Sequence, residues 1–227
     1  MAGGERPAGD GEPRAPADED RVAPPIFTYA DVEALEDAAG RLITKTAWGS
    51  IPSTLCVGGR AVTLRAVSPQ TPAIRCLADD DLRALYSPTT GHIELFCAGV
   101  TLSGTTEARE HAVRVLGHEA LHALQYPAFT TDQIDEASRL NRKRDGPEDY
   151  AAYISCDVEL PAHAVMIALE LRDRQPDDFH VAAEETTVWS YFAGRLEGAA
   201  ASADILSRLV AEAEVMHEAL QPPAGTG

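Results

Sequence analysis

The chain is short of several things, and each shortage removes a class of protein. It carries 19 lysines and arginines against 36 aspartates and glutamates, a formal net charge of −17. That acid excess repels phosphate backbones and anionic lipid, so neither nucleic acid nor a membrane is an expected partner. No apolar run is long enough to span a bilayer, and the first residues lack the apolar stretch of a secretory signal, so the expected location is cytoplasmic. The four cysteines, Cys56, Cys76, Cys97 and Cys156, form no CxxC pair. This argues against a zinc ribbon and favours free, reduced thiols. Large apolar residues are almost missing from Met1 to about Pro25, a stretch rich in Gly, Pro, Ala and acids that is expected to be disordered. Residues 26–221 are then read as one domain, long enough to bury a real core, with 222–227 as a short tail. No internal repeat is visible.

What the chain does have is Gly117-His118-Glu119-Ala120-Leu121-His122, an HExxH string within a stretch that reads as helix from about Thr105 to Tyr126. Residues four apart share a helix face, so both imidazoles can grip one metal ion while Glu119 faces a water beside it. The helix context is good. Thr105 and Thr106 are N-cap candidates, and Glu107 and Glu110 suit the positive end of the helix dipole. Val113, Leu116, Ala120 and Leu124 recur at helical spacing as a stripe for burial, with His111, Val115, His118 and His122 as the neighbouring stripe. His111, almost two turns before His118, reads as rim or surface. The bland alternative is an amphipathic helix with two ordinary hydrogen-bonded histidines.

A catalytic zinc needs a third protein ligand and an open position for water. Downstream, Glu159-Leu-Pro161-Ala-His163 opens a strongly apolar helical run through Val165, Ile167, Leu169 and Leu171. Neither Glu159 nor His163 belongs in such surroundings without a partner, and a metal satisfies both. Glu159 is the expected third ligand, with Asp157 as rival, and His163 is expected to orient a ligand or the bound water. Because proline is tolerated only in a first turn, Pro161 requires this helix to begin near Glu159. Glu159 as a dipole-favoured helix-start carboxylate is the plain alternative. Cys156, three residues earlier, could approach the same metal.

His118-Glu119-x-x-His122 followed by a helical Glu resembles the gluzincin branch of the zincin metallopeptidases, and Tyr…Glu159-x-x-Ala162-His163-Ala164 is similar to its small single-domain members. The resemblance covers about Ala84 to Leu171. It implies an α+β fold, a short mixed or antiparallel sheet packed on the HExxH helix, with further helices toward the C-terminus. It also implies Zn2+ on His118, His122 and Glu159, Glu119 as general base, and a peptide or protein substrate. His163 and Tyr153 join Glu119 as candidate catalytic residues, with Tyr150 and His180 as further candidates for the oxyanion. Cys97 upstream of HExxH invites comparison with peptide deformylases, but the residues around it do not look like theirs.

The expected sheet comes from Ala61–Val67, Ala73–Cys76, Arg83–Tyr86 and His92–Cys97, the last two joined at Ser87-Pro-Thr-Thr-Gly91 as a hairpin leading into the metal helix. In the resembling family, substrate pairs along the last such strand; a core scaffold is the alternative. Thr28–Asp31 opens an amphipathic helix through Ile43, Phe179 to Arg195 reads as helical, and Asp204–Gln221 is a final helix. The basic cluster Arg139 to Arg144 reads as a solvated loop between the metal helices, with a lid as alternative. Two other functions remain: a non-catalytic metal-binding or interaction domain on a zincin scaffold, and an acidic helical interaction protein in which HExxH is accidental.

Overall fold

Two consecutive glycines set the first turn of the sheet. Gly58 and Gly59 both have positive φ (53° and 69°), the backbone that a two-residue hairpin demands and that side chains resist. They join β1 (Thr54–Val57) to β2 (Arg60–Val67), paired antiparallel. A second turn, closed by Gly91 at φ 68°, joins β3 (Leu82–Ser87) to β4 (His92–Cys97), again antiparallel. The two hairpins meet through a parallel pairing of β2 with β4, giving a mixed sheet in the order β1-β2-β4-β3. The strands alternate: Leu55, Val57, Val62, Leu64, Ile93 and Leu95 are buried on one face, while Thr54, Cys56, Thr63 and Arg65 are exposed. That pattern belongs to a sheet covered on one side.

The computed structural model describes residues 27–44, 54–67, 82–97 and 106–222. The N-terminal tail, the strand expected at Ala73–Cys76 and residues 223–227 lie outside them.

Before the sheet comes α1 (Tyr29–Thr44). Its start is tied down by Asp31, which accepts from Thr28 N–H and the Thr28 hydroxyl (both 2.8 Å) and from Gly58 N–H across the chain (2.7 Å). After the sheet, α2 (Thr106–Gln125) carries the HExxH string and packs against α1, β3 and β4. It ends where Pro127 makes further α-helix unfavourable, passing into a 3-10 turn at Tyr126–Ala128. Then follow α3 (Thr131–Asn141), closed at its start by a Thr130/Gln133 capping box, and α4 (Pro147–Ile154), with proline in its first position. The chain bends by 86° into α5 (Glu159–Leu171). Three more helices complete the chain, α6 (Phe179–Glu184), α7 (Thr187–Leu196) and α8 (Ser202–Leu220). Among the described residues no single helix is long and apolar enough to cross a membrane.

The fold is thus α+β, a four-stranded mixed sheet and a helical remainder in which α5 packs between α2 and α8. Two expectations need correction. The basic cluster is a loop only in part: Arg139 lies in the last turn of α3, where it pairs with Glu136, while Arg142, Lys143 and Arg144 form the exposed turn toward α4. The helical stretch from Phe179 is two helices, broken where Thr186 turns to cap α7 by accepting from Trp189 N–H.

Candidate metal centre

The centre sits where α2, packed against the sheet, meets α5. On α2, His118 and His122 lie one turn apart with rings edge to face, 4.7 Å between centroids. On α5, Glu159 is the first helical residue and His163 follows one turn later. All four are buried. Gly117 lets the helices approach, since a Cβ there would stand 2.3 Å from Leu169 Cδ1.

The donor atoms converge on one carboxylate oxygen. Glu159 Oε2 is 3.5 Å from His122 Nε2, 3.7 Å from His118 Nε2 and 3.6 Å from His163 Nε2, and the two α2 nitrogens are 3.1 Å apart. His118, Glu159 and His163 each place one ligand atom within 4.8 Å of the others, a group that could hold a metal ion. The donor set fits that role by its internal chemistry. His118 Nδ1–H donates to Ala162 O (2.9 Å), which leaves Nε2 as a bare lone pair aimed at its neighbours. Tyr153 donates its hydroxyl to Glu159 Oε2 (2.8 Å). His122 Nδ1 and both nitrogens of His163 are buried without a hydrogen-bond partner among the described residues. A tetrahedral ion with bonds of about 2.0–2.1 Å holds its donors roughly 3.3–3.4 Å apart. The observed separations are near that. The three from Glu159 Oε2, at 3.5 Å or more, are too long for good hydrogen bonds, while the 3.1 Å between the α2 nitrogens is within hydrogen-bond range.

Burial dominates the proton affinities. It drives His118 well below its ordinary value, helped by His163 and His122, and pushes His163 down to about 4. Burial alone would lower His122 too, but Glu159 and then Glu119 lift it above the ordinary value. Burial works against the Glu159 charge, yet His122, His118 and His163 together hold its carboxyl well below the usual range. Neutral His118 and His163 beside an ionised Glu159 are the protonation states a metal ion requires, whereas His122 favours its proton here and would release it on binding a metal.

Glu119 is set apart from this group. Its Oε1 is 3.9 Å from His118 Nε2, while its Oε2 accepts a 2.5 Å hydrogen bond from Tyr86 N–H on β3, the edge strand. Burial raises its pKa to about 7. It opens with the centre onto a cleft of about 870 Å³, walled on one side by Ala84–Pro88 and on the other by Tyr150, Val188 and Tyr191.

The remaining candidates fall in different places. Asp157 is exposed and outside the group. The Cys156 thiol is half-buried at the α5 start, where burial pushes its pKa up to about 11. Tyr150 lines the cleft beneath the Arg195 guanidinium (4.6 Å), and Arg144 lies 5.3 Å over the Tyr153 ring. His180 is exposed, 3.6 Å from Glu214, and His111 is half-buried at the cleft wall. The Cys97 side chain lies outside the described residues. Sequence reasoning missed Tyr86, whose contribution is a backbone N–H and so has no residue signature. It also missed Phe192, which packs edge-on against His163 at 4.9 Å. No known protein family, curated protein or solved structure matches the chain.

Proposed function

We propose that the chain is a zinc-dependent peptidase that hydrolyses peptide bonds of a peptide or protein substrate, on a zincin-like domain, with Glu119 as general base. The observation that carries this reading is the Glu119 carboxylate. It is buried beside the clustered imidazoles, 3.9 Å from His118 Nε2, and opens onto the cleft. A purely structural metal site gains nothing from a second buried acid, which costs free energy to hide.

Imidazole and carboxylate donors suit zinc. When bound, the ion supplies Lewis acidity to a carbonyl and acidifies a water. The chain's own residues do the rest. With a pKa near 7, Glu119 can accept a proton from water and return it to the leaving amine. Tyr86 N–H fixes one Glu119 oxygen and leaves Oε1 toward the centre, while the Tyr153 hydroxyl holds Glu159 in place. Tyr86 N–H points away from β4, and by the alternation of an antiparallel ladder so does that of Ala84. Tyr86 N–H is taken by Glu119, so an extended peptide laid along β3 would pair through its backbone with the edge at Ala84.

The test is Glu119→Gln, assayed for hydrolysis of a mixed peptide library and for metal content by mass spectrometry. Hydrolysis should fall by about 10²–10⁴-fold with metal content unchanged. An unchanged rate would sink the mechanism.

A further inference from the structure

We propose that His163 is a fourth protein ligand, so that His118, His122, Glu159 and His163 together close the coordination sphere of the resting centre. The inference rests on the metal reading above and extends it to how the site is kept shut.

His163 follows Glu159 by one turn of α5, so the two side chains leave the same helix face. It is 8% exposed, and neither ring nitrogen has a hydrogen-bond partner among the described residues. An imidazole carries one donor and one acceptor, and hiding both unpaired is costly. The ring is nonetheless held, edge-on to Phe192 at 4.9 Å, tilted against His118 at 4.5 Å and edge-on to Tyr153 at 5.7 Å.

The orienting role expected from sequence, toward a ligand or the bound water, competes with this reading. Toward the ligands, His163 makes no hydrogen bond among the described residues, and two of their positions are held by other groups. Ala162 O holds His118 Nδ1, and the Tyr153 hydroxyl holds Glu159 Oε2. What His163 does have is the same relation to Glu159 as the two α2 histidines, 3.6 Å against 3.5 and 3.7 Å. Three imidazole nitrogens nearly equidistant from one carboxylate oxygen are what a shared small cation would gather. The ligand atoms of His118, Glu159 and His163 already lie within 4.8 Å of one another, and His122, outside that group but 3.1 Å from His118 Nε2, would close in on binding. Four protein donors complete a tetrahedral shell, whereas a hydrolytic centre keeps one position open. His163 therefore acts as a latch, and turnover requires it to cede its place to water.

X-ray absorption on the zinc-loaded full chain counts imidazoles directly. The expected result is three imidazoles per zinc in the wild type and two in His163→Ala. Chelator competition should show affinity falling by more than the roughly 10–100-fold that loss of an outer-sphere partner costs. Two imidazoles in the wild type would overturn the latch while leaving the peptidase reading intact. Wild type that binds no zinc under zinc-replete conditions would overturn both. The wild-type count needs no variant, so a His163→Ala protein that fails to fold leaves the test decisive.

Discussion

Helices α2 and α5 run antiparallel and are joined at both ends by buried charge, but the two joints are built on opposite plans. At one end Arg172, just past α5, commits all three guanidinium nitrogens. It donates to both oxygens of Glu110 on α2 (2.7 and 2.9 Å), to Glu36 on α1 (2.9 Å) and to Leu169 O (2.6 Å). At the other end His118, His122, Glu159 and His163 face one another with nitrogens left over. The first joint is satisfied by the chain alone, and the second is left with buried nitrogens that a metal ion could satisfy. Buried polar groups are ordinarily paired, so the contrast between neighbouring joints on the same helices separates architecture from function.

The comparison can be broken from either side. The largest effect should come from the guest. Zinc at 100 times its dissociation constant should stabilise the fold by about 2.7 kcal/mol, with a melting temperature that depends on zinc concentration, whereas chelated protein stays folded on the Arg172 joint. Thermal unfolding with zinc and with chelator measures this, and chelated protein that is already unfolded would contradict the division of labour. Next, Arg172→Met keeps the apolar stem but leaves Glu110 and Glu36 without their cation. Both carboxylates are about a third exposed, so the loss should be about 2 kcal/mol rather than the 3–5 of a fully buried pair. Urea unfolding of metal-free protein reads it.

Gly117→Ala sits between the joints. Its new methyl meets Leu169, which is wholly buried, and should cost on the order of 1 kcal/mol in metal-free protein. By shifting α2 from α5 it should also weaken zinc binding, which titration with a competing chelator would show. The smallest effect is that of acid. The hydrogen bond from Arg172 holds the Glu110 carboxyl below its ordinary 4.5. A lowered folded-state value means the Arg172–Glu110 contribution is fully present above about pH 4.5 and fades as pH falls through the folded value. The stability gap between wild type and Arg172→Met should therefore narrow in that acid window, and a gap that widens would contradict the assignment.

Much of the second joint was legible in the sequence, and almost none of the first. The spacing of His118 and His122 follows from helix geometry, and Pro161 placed the start of α5 at Glu159 because its ring fits only a first turn. Glu159 and His163 stood out as polar residues in an apolar run. Arg172 gave no such signal, since its partners lie 62 and 136 residues away and charged residues at a helix end are common. The parallel pairing of β2 with β4 was equally hidden. It follows from how the two hairpins dock, not from the alternation within either. Glu119 was readable as a candidate base, but its anchor, a peptide N–H at Tyr86, could have been any residue.

Gly117 also has a bearing on how the donors meet. With only hydrogen on its Cα, it lets one methyl of Leu169 set the separation of α2 from α5. The crossing it permits stands beside the 3.7 Å opening between His118 Nε2 and Glu159 Oε2. Calcium, which asks for about 6–8 oxygens, would find one carboxylate among three imidazoles there, a poor match by donor type rather than by size. A residue without a side chain, touching no donor atom, thereby sets how closely two helices can bring nitrogen and oxygen donors together.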